Sequence, residues 1–330
     1  MNIGELFRVE LSLRTIIRYT SISMKKVSIR TCVSIASSIL LVGFIWLERD
    51  TFVEGTRELA NANIFYATTA IVVALLAVAP AAYVYQLIAV RPLIFKRTIL
   101  VQMANNFSGK ILPSGTGNIA TMVRYLATQK HSVIEASSIV SVNYLASFLG
   151  ILCATIVSLI ASGKQIQEVI NTDISPVFII VVGVVIGGFL LAAFLPSSKS
   201  KIRANARKFW KVYLMALSHG WRFAGAVLCA ASLSILLVIC LILSVNALGG
   251  SILPLQALIA LTLGVTAAAI TPTPGSLGGA EIGLMLALEA AGVPSSTALP
   301  SALLFRFATF WIPMIPGFFA FQYALKKKYL

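Results

Sequence analysis

The chain has 330 residues, of which 58% are hydrophobic and only 11% charged, and its mean hydropathy is +0.92. A soluble globule carries about 25% charged and about 45–50% apolar residues, so composition excludes a water-soluble enzyme or binding module and requires an integral membrane protein. The net charge of +15 would suggest nucleic acid in a soluble chain, but here the basic residues flank apolar stretches, where they set orientation and meet anionic lipid; no nucleic-acid partner is expected.

In chain order, residues 1–30 form a basic amphipathic segment expected in the cytoplasm, and 31–330 form one transmembrane domain. The first apolar stretch, 31–47, ends in IWLERD without a small-residue cleavage site, so we read it as an uncleaved span rather than a signal peptide. Further full spans, each needing about 20 apolar residues, are predicted near 64–90, 136–161, 176–195, 223–247 and 299–323. Cys32, Cys153, Cys229 and Cys240 all fall within these spans and read as small buried hydrophobes.

Two segments, 91–130 and 251–292, contain shorter apolar pieces interrupted by proline and glycine: LPSGTG at 112–117 and TPTPGSLGGAE at 271–281. In hydrocarbon an unpaired backbone group costs several kcal/mol, so non-helical chain at that depth must pack against protein or line a wet cavity. Each segment is therefore predicted to be a re-entrant helical hairpin. Pro113 and Gly117 mark the first break, and Pro272, Pro274, Gly275 and Gly278 the second. Broken helices in corresponding places are the pattern of a transporter-like core.

Charge gives the orientation. Of the 26 Lys and Arg, 21 lie at 1–30, 91–97, 124–130, 199–222 and 326–328, whereas the loops 48–63 and 162–175 hold three, against six acids. The positive-inside rule places both termini in the cytoplasm. Cysteines introduced as Glu54→Cys and Asp173→Cys should label with an impermeant reagent from outside, and Lys201→Cys should not; labelling of all three from one face would overturn this orientation. With that topology the hairpins enter from opposite sides. Shifting the sequence by 161 residues superposes Pro113 on Pro274 and Gly117 on Gly278. The expected fold is thus an all-α polytopic membrane protein, about six full spans plus two opposed hairpins in an inverted repeat. Half one runs over about 64–161 and half two over about 223–323. The basic linker 196–222 between them, with Phe209, Val212, Tyr213 and Ala216 at helical spacing, is expected to lie on the inner leaflet.

Candidate functional residues are those too polar for their depth. Arg306 sits inside the last span and needs a partner or a wet cavity. Its retention reads as function by default, with a structural ion pair as the alternative. Glu281 opens the half-helix after the second break, where it either caps free amides or pairs with Arg306. In the first half, Asn105, Asn106 and Lys110 precede the break and Arg124 follows it. The amides suit exposed backbone and the cations suit phosphate, Arg124 best because guanidinium grips two oxygens; its plain reading is a cytoplasmic positive-inside residue. Asn143 and Tyr144 read as bonds between helices. No nucleophile–histidine–acid set, phosphate-binding loop or metal-ligand spacing occurs in the sequence, so no enzymatic activity, cofactor or metal is expected.

At these positions the chain resembles the lysylphosphatidylglycerol synthase transmembrane-domain family, also called flippase-like. The stretch from Pro272 to Phe318 resembles the family's second motif, a PTPGGLG-x-x-E turn followed by an AGV loop and a span bearing Y/F-R and tryptophan. Ala104 to Leu126 resembles the first, departing where Asn118 follows Gly117 and Thr121 takes an arginine position, with Arg124 three residues later. By this resemblance Pro274, Gly275, Gly278, Glu281 and Arg306 match the second motif, and Arg124 is the nearest match in the first.

In multidomain members this membrane region is implicated in moving aminoacylated phosphatidylglycerol between leaflets, and other relatives occur in envelope polysaccharide and glycolipid settings, so the resemblance implies movement of a lipid and leaves the substrate broad. In multidomain members a separate soluble domain attaches the amino acid, and because the sequence closes directly after its last span, that chemistry is not expected here. The resulting expectation is a translocase for an anionic or zwitterionic phospholipid or a polyprenyl-linked lipid in the cell membrane. The alternative is a non-catalytic scaffold for an envelope glycosyltransferase or lipid synthase; such an enzyme, and a second copy of the chain, are the candidate protein partners.

Overall fold

The structure is a computed structural model that describes residues 62–111, 116–162, 200–271, 273–276 and 278–330, with seven isolated positions between 39 and 57. The predicted span at 176–195, most of the span at 31–47 and of the outer loops 48–63 and 162–175, and Pro113 and Pro272 lie outside the described residues. The chain forms two compact units, Met1–Val42 and Gly43–Leu330; the helices that follow belong to the second.

Among the described residues there are helices and no strands. In chain order they are α1 (Ile64–Leu76), α2 (Val78–Ile88), α3 (Phe95–Ile111), α4 (Thr116–Thr128), α5 (Val133–Ser162), α6 (Ser200–Ser218), α7 (Gly220–Ala247), α8 (Pro254–Ile270), α9 (Gly279–Ala290), α10 (Ser295–Arg306) and α11 (Ile312–Lys326). Among the described residues, four helical stretches are long and apolar enough to cross a membrane: Ile64–Ile88, Val133–Ala161, Gly220–Ala247 and Ser295–Lys326. They coincide with four of the expected spans, because 18 or more apolar residues in helical register admit few other fates.

Local chemistry sets the boundaries. The Asn63 carboxamide accepts from the Phe65 N–H at 3.0 Å, and the Asn63 N–H bonds the Ala247 carbonyl at 2.8 Å, which caps α1 and ties it to the end of α7. Pro80 has no N–H for the Leu76 carbonyl, and the first span divides into α1 and α2 at Ala77. At the start of α5, Ser132 N–H donates to Glu135 Oε2 at 2.7 Å and Glu135 N–H to Ser132 Oγ at 3.2 Å, a reciprocal cap.

Both interrupted segments fold as helix, break, helix: α3 and α4, then α8 and α9. Each is preceded by a span (α1–α2, then α7) and followed by one (α5, then α10–α11). The packing crosses between halves. The most extensive contact joins α3 to α11, and α8 packs against α5. At the first of these, Phe107 meets Phe318 and Phe321 with ring centroids 5.2 and 5.4 Å apart.

Two cores result. One gathers Val84, Tyr125, Leu126, Ile139, Val142, Tyr213 and Ala226; the other gathers Ala70, Leu241, Leu258, Leu288, Ala302 and Phe305. The first lies at the end where basic residues collect: Arg91 donates to the Lys130 carbonyl, Arg97 covers the Tyr329 ring, and Thr128 Oγ1 donates to the Tyr329 carbonyl. Helix α6 is anchored by protein contacts. Its apolar face packs on protein, with Tyr213 and Ala216 buried in the first core and Ser138 Oγ bonding the Phe209 carbonyl at 3.1 Å. The outward face carries Arg207, Lys208 and Lys211 together with half-exposed Trp210 and Leu214. An amphipathic pattern reports that one face is buried, not whether lipid or protein buries it.

Candidate functional site

The second break makes a tight turn at Pro274–Ser276 between α8 and α9. Gly275 has φ 66° and Gly278 φ 80°, conformations that a Cβ disfavours, which accounts for the glycines of PGSLGG. The first break closes for a different reason: a Cβ on Gly117 would lie 1.9 Å from the Ser108 carbonyl oxygen. Glycine lets the start of α4 rest on the end of α3, where Ser108 Oγ and Thr121 Oγ1 share a buried hydrogen bond of 2.8 Å.

The breaks converge on the last span. Arg306, the final residue of α10, donates through Nε to Glu281 Oε1 at 2.7 Å and through a terminal nitrogen to the Gly275 carbonyl at 3.0 Å. Its guanidinium lies 4.1 Å from the Phe310 ring centroid. One side chain therefore binds the turn of the second break, the first turn of α9 and the following residues of its own span. Glu281 pairs instead of capping. Its Oε2 is buried without a protein hydrogen-bond partner, and both side chains are nearly sequestered, at 13% and 7% exposure.

After Arg306 the span widens into a π turn, Phe307–Trp311, with the Ile312 N–H reaching back to the Phe307 carbonyl. Pro313 has no N–H for the Thr309 carbonyl four residues back. Lys110, at the end of α3, supplies a donor: its Nζ bonds the Thr309 and Phe310 carbonyls at 2.8 Å each and lies 4.9 Å from the same Phe310 ring. A π turn inside an α-helix commonly marks a functional site, and this one presents two carbonyls and an aromatic ring to two cations.

These groups face a cavity of about 550 Å³ lying between the two cores, a size suited to a small ligand or head group. Lys110, Arg306, Asn105 and Asn106 line it, as do Gln102, Asn118, Asn143, Tyr144 and Phe310. The mouth includes Val265, Tyr144 and Ile119, which are 60%, 49% and 43% exposed, so the cavity opens at the molecular surface between α8, α5 and α4.

The structure thus brings Asn105, Asn106, Lys110 and Arg306 together around one space, with Glu281 and Gly275 holding Arg306. Arg124 is exposed and off the cavity wall. The buried stripe of α4, Gly117, Thr121, Met122, Tyr125 and Leu126, repeats every three to four residues and leaves Arg124 outside it. Sequence reasoning passed over Gln102 and Asn118. Gln102 was legible, because Gln102, Asn105, Asn106 and Lys110 fall on one face of α3 at helical spacing. Asn143 and Tyr144, read as bonds between helices, stand on the cavity wall.

The family model described as the lysylphosphatidylglycerol synthase TM region matches residues 32–317. No curated protein matches the chain.

Proposed function

Starting from a chain that belongs to the lysylphosphatidylglycerol synthase TM-region family, a membrane family of lipid metabolism or transport, we propose that it carries a lipid head group between leaflets through the cavity between its two breaks. The observation that carries this reading is the pair of cations, Lys110 and Arg306, on the wall of a roughly 550 Å³ cavity. A head group crossing plain bilayer meets a dehydration barrier of several kcal/mol. Fixed cations and carboxamides lower that barrier, while the exposed mouth lets acyl chains remain in lipid.

Exchange of packing partners between halves, α3 with α11 and α8 with α5, supports an inverted repeat; the charge distribution supports hairpins entering from opposite faces of the cell membrane with both termini in the cytoplasm. The proposed work is movement without covalent chemistry, and Arg306 and Glu281 lock the second hairpin to the last span.

Vesicles containing only this chain test the reading. A labelled anionic phospholipid should cross between leaflets faster than in protein-free vesicles. Lys110→Gln, and the pair Arg306→Gln with Glu281→Gln, should slow it by about tenfold or more, since one lost charge-assisted hydrogen bond is worth about 1.5–3 kcal/mol. No acceleration for any phospholipid or polyprenyl-phosphate lipid, together with mislocalisation of an envelope enzyme when the chain is deleted, would replace translocation by scaffolding.

A further inference from the structure

We propose that the π turn Phe307–Trp311 is a hinge between the two cores and that Lys110 is its latch, released when a phosphate in the cavity draws the ammonium away from the Thr309 and Phe310 carbonyls. The proposal rests on the lipid head-group reading and gives that site a moving part. Only the phosphate is needed, whatever else the head group carries.

Packing divides the last span at this turn. Ala298, Ala302, Phe305 and Ala308 belong to the second core, Ala324 and Leu325 to the first. On one side α10 packs against α7 and α9, and Arg306 ties it to Glu281 at 2.7 Å. On the other side α11 packs against α3, so closely that a Cβ on Gly317 would lie 2.7 Å from the Met103 carbonyl oxygen. Helices α5 and α7 also reach both cores, but as unbroken α-helices. Movement of α3 and α11 against α9 and α10 must therefore be absorbed in the short stretch that joins α10 to α11. The helix is already irregular there. Its ladder widens to the π pattern, and Pro313 and Pro316 withhold N–H groups from the Thr309 and Ile312 carbonyls, so bending at this place breaks fewer backbone hydrogen bonds than elsewhere in the span.

Lys110 holds the turn from outside the span. An ammonium has three donors; two go to the Thr309 and Phe310 carbonyls at 2.8 Å, and the residue also lines the cavity. Among the described residues no carboxylate lines that wall. Arg306 is held differently, by the full negative charge of Glu281 as well as by the Gly275 carbonyl. A phosphate entering the cavity thus competes with neutral carbonyls for Lys110 but with a carboxylate for Arg306. Hydrogen bonds to an ionised acceptor are the stronger, so Lys110 is the cation that moves and Arg306 the one that stays. Once Lys110 leaves, the turn loses two donors and is free to bend.

Trp311, at the end of the turn, is buried and off the cavity wall, so it reports on the hinge without touching a ligand. In the full chain labelled with fluorotryptophan in detergent, its fluorine resonance, identified by its loss in Trp311→Phe, should move when short-chain phosphatidylglycerol or a short polyprenyl phosphate binds. Diacylglycerol of the same chain length, which has no phosphate, should leave it in place. Lys110→Met, which cannot donate, should show the displaced resonance without lipid. Pro313→Ala, which returns an N–H to the Thr309 carbonyl, should stiffen the turn and slow lipid crossing in vesicles about fivefold, the worth of one backbone hydrogen bond, while phosphate-bearing lipid still binds. The wild-type resonance and Pro313→Ala decide the matter if Lys110→Met fails to fold. Lipid binding without movement of the Trp311 signal, equal movement with diacylglycerol, or wild-type crossing by Pro313→Ala would overturn the hinge and leave the head-group site standing. Binding of neither phosphate-bearing lipid would sink the head-group reading itself.

Discussion

Replacing Arg306 by alanine is expected to destabilise the protein by about 3–5 kcal/mol, because it leaves Glu281 as a buried, uncompensated carboxylate. The geometry makes the loss larger than one ion pair: the same guanidinium holds the Gly275 carbonyl at 3.0 Å and covers Phe310. Glu281→Ala should also destabilise, by stranding a cation. The double variant Arg306→Ala with Glu281→Ala should be less damaged than the two single losses added together, since neither charge is then left alone. Unfolding in mixed micelles measures all four corners of the cycle. Strictly additive losses would show that the 2.7 Å contact does not couple the second hairpin to the last span.

The second large effect is expected at Gly117. A valine there would drive its Cβ into the Ser108 carbonyl, at 1.9 Å in the unshifted backbone, so α3 and α4 must part and the Ser108–Thr121 bond must break. Overpacking of this kind costs about 1–3 kcal/mol, more when backbone is what blocks the site. The damage should reach beyond the turn, because α3 carries the polar row of the cavity and Lys110 at its end. We expect lowered thermal stability together with loss of lipid crossing in vesicles. Gly220→Ala, at a position where a Cβ would meet nothing within 4 Å, serves as the control and should leave both unchanged. A Gly117→Val protein as stable and active as the control would show that the two hairpin arms need not touch.

Much of the architecture was legible because its causes are local. An apolar run long enough to span lipid reads the same in any context, and the four described spans fall where hydropathy put them. Proline and glycine at membrane depth signal a break wherever they occur, and the helices on either side of both breaks are present as expected. Glu281 was readable as a candidate partner of Arg306, beside a capping role, for a related reason. Each is too costly to bury alone, and they lie 25 residues apart within one short hairpin and the helix that follows it.

What sequence could not supply depends on helix rotation and on contacts between distant segments. Lys110 finds its carbonyls 199 and 200 residues away, and nothing in its own neighbourhood points there. Arg124 and Asn118 share α4, yet only Asn118 reaches the cavity, because the face that α4 buries is chosen by its neighbours. The apolar stripe of α6 announced a buried face, and the structure supplies α5 as the helix that face packs on.

By itself, then, the sequence determined the membrane class, the spans among the described residues, the two breaks and the need of Arg306 for a partner, all consequences of how much apolar length or isolated charge a bilayer tolerates; that Glu281 pairs with it and does not cap was decided by the structure. Only the tertiary structure decided that Lys110 and Arg306 share one aromatic ring and that carboxamides from α3, α4 and α5 meet around one cavity. Those outcomes depend on which faces of separate helices are pressed together, and that choice is made by packing over the whole chain.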